Sequence, residues 1–319
     1  MRDTLRLLRV SCPEAMQTLR KRMRRSLVRA RLDLTGANHA TRMQAERRLR
    51  GREQYDRVSH ADAVIVSYPK CGRTWLRVMI SRLYQQLYDL PADVVIEFDN
   101  LHNMDARVPK LFFTHDTHIR EYTGHTETKV DYYDKKVLIL VRDPRDVAVS
   151  QFFHWRYRTK AWKKDMNDYP PHDAECSLFD FVRQETGGLP RIIEFMNLWA
   201  RERNKVRDHL LIRYEDMRRD PQATMTQLAV FMDIPADAAQ IAEAVDYASY
   251  ENMKKKETES SFQTSGGRLT PGDTNNPDSY KVRRAKVGGY RDYFDDAELR
   301  VIDAMVIDKL NPVFEYGRS

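Results

Sequence analysis

Three groups of residues have the types and spacing that grip phosphate. In AVIVSYPKCGRTWLRVM (63–79) an apolar run breaks at Tyr68-Pro69-Lys70, Gly72 follows, and Arg73-Thr74-Trp75 opens a helical pattern. Such a strand–loop–helix junction aims backbone N–H groups at one spot, and the helix dipole adds about half a positive charge there. Lys70 supplies a mobile cation and Thr74 a hydroxyl. The triphosphate spacing G-x-x-x-x-G-K-[ST] is absent, so the loop suits one phosphate plus a neighbouring anionic group. In LILVRDPRDVAVSQFFHW (138–155), Arg142 stands at a strand end and Ser150 two turns into the next helix, a pair fit for a second phosphate. In YKVRRAKVGGYRDYF (280–294), Arg283, Arg284 and Lys286 adjoin Gly288-Gly289, so a basic loop can close over that same phosphate. Each group alone has a plainer reading: a strand-to-helix turn, an Arg–Asp network among Arg142, Asp143, Arg145 and Asp146, and a solvated basic face.

The elements that must position these groups alternate. Buried strands are expected at 63–68, 110–115, 136–141 and 209–214, because their apolar runs are continuous. Helices are expected at 73–88, 144–157, where Pro144 suits a first turn, 189–203, and 220–232 behind Asp220 as cap. Alternating strands and helices predict an α/β fold with a mostly parallel central sheet and its sites at the C-terminal strand ends. The polar stretches 159–175 and 257–281 break the pattern and read as long loops or lids.

The chain has 319 residues, enough for one large domain or a domain plus an appendage. No stretch reaches the roughly 18 apolar residues of a membrane span, and no apolar signal core opens the chain, so a cytoplasmic location is expected. Cys12, Cys71 and Cys176 are scattered and fit neither a disulfide framework nor a zinc site. Residues 1–60 carry 16 Lys and Arg against 6 Asp and Glu, a net of +10, which leaves 38 against 41 for the remainder. The basicity therefore belongs to an N-terminal arm, taken as 1–58, ahead of a catalytic domain at 59–319. Within the arm, residues 16–34 read as a helix with Leu19, Met23, Leu27 and Leu34 near one face. That helix is either a solvated face or a surface for an anionic membrane or partner. Nucleic acid is not expected, since the helix has no aromatic side chains to stack on bases.

Taken together, the three groups resemble the sulfotransferases that use 3′-phosphoadenosine 5′-phosphosulfate (PAPS). The family's Y-P-K-S-G-T-T-W is matched by Tyr68-Pro-Lys-Cys-Gly-Arg-Thr-Trp75, and its R-N-P-K-D-V-A-V-S by Arg142-Asp-Pro-Arg-Asp-Val-Ala-Val-Ser150. Its R-K-G-x-x-G-D-W-K is matched by Arg283-Arg-Ala-Lys-Val-Gly-Gly-Tyr-Arg291. The similarity runs from about 62 to 312 and implies a P-loop-like sulfotransferase fold. It implies that Lys70, Cys71, Gly72, Arg73, Thr74 and Trp75 meet the 5′-phosphosulfate end of the donor. Arg142, Ser150, Arg283, Arg284 and Ala285 would meet its 3′-phosphate, and Tyr214, Ser249 and Tyr250 would lie near the adenine, with Trp75 and Tyr250 on its two faces. PKLFFTHDTH (109–118) occupies the place of the family's K-T-H-L-P, which makes His115 the general base. By the same resemblance Lys70 neutralises the charge that develops in transfer, Ser150 restrains Lys70 until an acceptor arrives, no metal is needed, and adenosine 3′,5′-bisphosphate (PAP) is released. His118 and His154 are the next histidines to consider.

Several positions depart from the family pattern. Cys71 and Arg73 replace Ser and Thr, Phe113 replaces the Lys beside the histidine, and Ala285 and Gly289 replace Gly and Asp. Cys71 reads either as an inert small residue or as a thiol acidified by the helix N-terminus. The dimer motif K-x-x-x-T-V-x-x-x-E is not reproduced in RDYFDDAELR (291–300), so any oligomer is expected to use another surface. A small-molecule or nucleotide kinase and a non-catalytic nucleotide-binding scaffold are the competing readings. The acceptor is expected to be a glycolipid, a saccharide or a small alcohol or phenol, in a pocket shaped by 86–108, 159–177 and 257–281.

Overall fold

The computed structural model describes residues 12–259, 273 and 275–317, with side chains from residue 23 onward. Four parallel strands form its sheet: β1 (Ala63–Ser67), β2 (Leu111–Thr114), β3 (Lys136–Val141) and β4 (Asp208–Arg213), in the order β2-β1-β3-β4. All five residues of β1 and all four of β2 are buried, as expected of parallel strands covered on both faces. The register pairs Val66 with Thr114 and Ile139, and Ile139 with Leu211. Consequently the residues that follow the strands, from Lys70, His115, Arg142 and Tyr214 onward, emerge along one edge. The chain reverses its order of strand placement between β1 and β3, which opens a crevice at their C-terminal ends.

Fourteen α-helices are assigned among the described residues. The first two are α1 (Cys12–Leu34) and α2 (His39–His60). Next come α3 (Arg73–Tyr88), α4 (Asn100–Met104), α5 (Ile119–Thr123), α6 (Pro144–Tyr157), α7 (Ala161–Met166) and α8 (Leu178–Arg183). Then come α9 (Leu189–Glu202), α10 (Tyr214–Arg219), α11 (Pro221–Phe231), α12 (Ala238–Tyr247), α13 (Tyr250–Thr258) and α14 (Asp296–Lys309). Helices α3 and α6 span the expected residues. Asp143 caps α6 by accepting from the Arg145 N–H at 2.9 Å, and Asp220 caps α11 by accepting from Ala223 N–H at 2.9 Å.

The arm 1–58 was expected to be helical, but a second helix packed on the body was not, and α2 packs closely on α5. A Cβ placed on Gly51 would lie 2.2 Å from the His118 carbonyl oxygen, so only glycine allows this approach. Arg47 donates from the same helix to the Met166 and Asp165 carbonyls at 2.9 and 3.1 Å. Helix α1 attaches to α2 through the Arg25–Glu53 ion pair at 2.8 Å. Its expected apolar stripe is not covered, since Met23, Leu27 and Leu34 are exposed. The stretch 159–175, read as a loop, contains α7. Of the stretch 257–281, residues 260–272 and 274 lie outside the described residues. No helix among the described residues is long and apolar enough to cross a membrane.

Candidate active site

The loop after β1 puts Lys70 and Gly72 into left-handed backbone conformations, with φ of +73° and +89°. Gly72 is required on steric grounds as well, since a Cβ there would lie 2.6 Å from the Tyr214 ring. The turn starts α3 at Arg73 and leaves the first N–H groups of that helix facing a cavity of about 280 Å³. Its wall includes Lys70, Gly72, Arg73, Thr74, Trp75, His115, Arg142, Ser150, Tyr214, Tyr250, Arg283, Arg284 and Ala285. All but two of the residues assigned in the sequence to the donor or to catalysis thus share one wall. Cys71 and Ser249 are the exceptions. Cys71 is buried beneath the loop, where desolvation pushes its thiol up to about 12, which removes the acidified-thiol reading. Ser249 instead caps α13, its Oγ accepting from the Asn252 N–H.

Arg142 does face this cavity rather than serving only an Arg–Asp network. Its guanidinium lies 4.4 Å from the Tyr214 ring centroid, donates to the Lys286 carbonyl at 3.1 Å and pairs with Asp146 at 3.3 Å. Arg145 is the structural member of the segment, tied to Asp143 at 2.7 Å and Asp303 at 2.6 Å. Asp146, which the sequence reading left in that network, docks the C-terminal loop. Its carboxylate accepts from the Gly288 and Tyr290 N–H groups, both at 2.9 Å. In that loop Arg283 donates to the Tyr293 hydroxyl at 2.6 Å and pairs with Asp278 at 3.2 Å, while Arg284 pairs with Asp292. Ala285 holds a φ of +49°, a region that costs an alanine about 1 kcal/mol and explains why glycine suits this place in the related motif.

Burial, followed by the Arg158, Arg142 and Arg283 guanidiniums, pushes Lys70 down to about 7. The cavity therefore has more positive charge than it can keep, which is the electrostatic signature of a site built for anions. No hydrogen bond joins Ser150 to Lys70 among the described residues, although both line the wall. Trp75 is fixed by donating its indole N–H to the Ala248 carbonyl at 2.8 Å. The Tyr250 hydroxyl donates to the Arg283 carbonyl at 3.1 Å.

His115 sits just past β2. Its Nδ1 lies 2.8 Å from the Ser67 carbonyl oxygen at the end of β1. A carbonyl only accepts, so Nδ1 carries the proton and Nε2 presents the lone pair. The Arg73 guanidinium donates to that Nε2 at 2.5 Å. Burial first, then Arg73, holds the imidazole well below the ordinary histidine range. Asp116 follows in a left-handed conformation with φ +52°. Its buried carboxylate accepts from Lys129, from the Tyr132 hydroxyl at 2.8 Å and from the Trp199 indole at 3.2 Å, which fixes the chain directly behind His115.

A second cavity, of about 370 Å³, shares Pro69, His115 and His154 with the first. Tyr68, Phe195 and Leu198 form part of its apolar wall, and α2 contributes Arg47 and Arg50. Of the segments expected to shape an acceptor pocket, 159–177 lines this cavity through α7 and its neighbours, and 86–108 lines neither cavity. Four lining carboxylates are matched by four cations. Asp116 pairs with Lys129, Asp168 with Arg47, Glu194 with Arg191, and Glu121 with Arg120 at 3.9 Å. His154, on α6, faces both cavities; its Nδ1 is buried without a hydrogen-bond partner, and burial followed by Lys70 and Arg158 drives it down to about 2.

A family model described as the sulfotransferase domain matches residues 60–313. The chain therefore belongs to the sulfotransferase family, enzymes that take a sulfuryl group from PAPS, and the resemblance carried by its motifs extends over most of its length. Among curated relatives it is similar to rat Sulfotransferase 2A6, 24% identical over 265 residues, which span 79% of this chain and 86% of the relative. It is also similar to Flavonol 3-sulfotransferase of Flaveria bidentis, 23% identical over 276 residues, spanning 81% and 84% of the two chains. Its fold resembles that of mouse sulfotransferase SULT7A1 complexed with PAP, with a TM-score of 0.52 at 18% identity over 81% of this chain and 89% of that one. It resembles equally retinol dehydratase in complex with androsterone and inactive cofactor PAP, with a TM-score of 0.52 at 19% identity over 78% and 80%.

Proposed function

We propose that the protein transfers a sulfuryl group from PAPS to an acceptor hydroxyl, with His115 as general base. The observation that carries this reading is the pair of cavities that share His115: one is lined by cations and a helix N-terminus, the other is mixed apolar and polar. The first fits the donor. Lys70, Thr74 and the N–H groups at the start of α3 would hold the 5′-phosphosulfate end. Arg142, Ser150, Arg283 and Arg284 would hold the 3′-phosphate, and Trp75 and Tyr250 would flank the base. The donor supplies the electrophilic sulfur and a phosphate leaving group.

The chain's own residues do the rest. An acceptor hydroxyl in the second cavity gives its proton to Nε2 of His115, which stays unprotonated at neutral pH because burial and Arg73 disfavour the cation. Arg73 must leave Nε2 for this to happen. It is rooted on the loop that would hold the phosphosulfate, so a new anion there offers the guanidinium a stronger partner than a neutral imidazole. Lys70, recharged by the same anion, neutralises the oxygens that gain charge as the S–O bond breaks. The kinase reading has no support from this loop, which lacks the triphosphate spacing.

The test is incubation with 35S-labelled PAPS and a panel of hydroxyl compounds. Label should pass to an organic acceptor with the wild-type protein, and His115→Ala should abolish transfer while keeping PAP affinity within about threefold. Undiminished transfer by His115→Ala would remove the histidine from its assigned role.

A further inference from the structure

The second cavity holds more positive charge than its own carboxylates can neutralise. With Asp116, Asp168, Glu194 and Glu121 each matched to a cation, Arg50 and Lys163 remain. Arg50 has only Glu46, at 3.2 Å, and Glu46 is shared with Arg29 at 3.2 Å. The Arg50 Nε is buried and has no hydrogen-bond partner. Lys163 makes no ion pair among the described residues. Both cations lie over the same indole, Arg50 at 5.1 Å and Lys163 at 5.5 Å from the Trp162 ring centroid. Two like charges on one ring repel, and the protonation of their neighbours reflects it. Burial, then Arg50 and Lys160, lowers Lys163. Burial, then Arg50, Arg47 and Arg120, drives His118 down to about 4. An anion seated between the two cations relieves that repulsion.

We propose that the acceptor is an alcohol or phenol that also carries an anionic group, a carboxylate or a phosphate, seated on Arg50 and Lys163 beside Trp162 while its hydroxyl meets His115. The inference rests on the sulfuryl-transfer reading, because that reading assigns this cavity to the acceptor. The wall suits an amphiphilic body between the two ends: Tyr68 and Phe195 pack edge to face at 5.5 Å, and Leu198 adjoins them. The shared chemistry is an organic anion with a hydroxyl, whether a soluble hydroxy acid or the phosphate headgroup of a hydroxyl-bearing lipid. A guanidinium and an ammonium together distinguish such an acceptor from its neutral analogue by charge-assisted hydrogen bonds.

The experiment is calorimetric binding to full-length protein saturated with PAP, which needs no turnover. The probes are 4-hydroxybenzoate, 3-(4-hydroxyphenyl)propionate and 12-hydroxydodecanoate, each beside its neutral amide. Vesicles of phosphatidylcholine with and without phosphatidylinositol form the lipid arm. At least one anion should bind about tenfold or more tightly than its neutral partner, the free acids if the source is soluble and the inositol lipid if it is a headgroup. The preference should disappear in the Arg50→Gln/Lys163→Gln double variant, whose PAP affinity and melting temperature should stay at wild-type values. A panel in which no anion outbinds its neutral partner overturns the proposal, and so does a preference that survives in the double variant. Failure of PAP itself to bind counts instead against the donor reading.

Discussion

Arg73 stands 2.5 Å from Nε2 of His115, the ring nitrogen proposed as the proton acceptor. At this scale the site is defined by charges that hold one another in check. Because burial and Arg73 hold His115 below its ordinary value, turnover at saturating PAPS should stay flat from pH 8 to below 6.5 and be lost only as pH falls through the depressed value. Arg73→Ala removes one cause of the depression. The acid limb of kcat/KM should therefore move to higher pH, and an unmoved limb would show that the guanidinium does not act on the imidazole. Lys70 gives a second expectation. With its free value near 7, it is mostly neutral at pH 8, whereas a bound anion favours the ammonium. PAP binding at pH 8 should take up close to one proton, measured by calorimetry in buffers of different ionisation enthalpy. Affinity should fall by about tenfold per pH unit above 7. Proton uptake should vanish in Lys70→Met.

Among the elements, β1, α3, β3 and α6 were legible because each announces itself locally. Their apolar residues follow a strand run or a helical period, and Pro144 marks the first turn of α6. The donor loops were legible for the same reason, since each motif is contiguous. Helix α2 was not, because it buries only Gly51 and Val58 and covers the body with arginine stems that periodicity cannot see. The second cavity was hidden by distance along the chain: Arg47 meets Asp168, 121 residues later. His115 itself has no local signal beyond its place after an apolar run, and the resemblance alone pointed to it. Helix α2 has a direct test in Gly51→Ala. A Cβ 2.2 Å from the His118 carbonyl forces α2 or α5 to move, at a cost of about 1–3 kcal/mol. Because α2 walls only the second cavity, the variant should raise the KM for acceptor several-fold and leave PAP affinity unchanged in titration calorimetry.

Across the whole molecule, the N-terminal positive charge has two settings. Helix α1 keeps Met23 and Leu27 exposed among its arginines, whereas α2 turns Arg47 and Arg50 into the second cavity. Deleting residues 1–58 would therefore remove a wall of the second cavity along with any membrane-facing surface, and loss of activity in that deletion would not identify a membrane role. The parallel sheet gathers segments from four parts of the chain at one edge, and Asp146 fastens the C-terminal loop over them through the Gly288 and Tyr290 N–H groups. The central claim is that this assembly recognises a nucleotide by two separate anionic groups at once. Its most direct test is the ratio of affinities for PAP and adenosine 5′-phosphate, measured by calorimetry on the wild-type protein and on Arg142→Ala. Charge-assisted hydrogen bonds contribute about 1.5–3 kcal/mol each, so the wild type should prefer PAP by about 100-fold or more, and the variant should lose most of that preference. Equal affinity for the two nucleotides in the wild type would contradict the account.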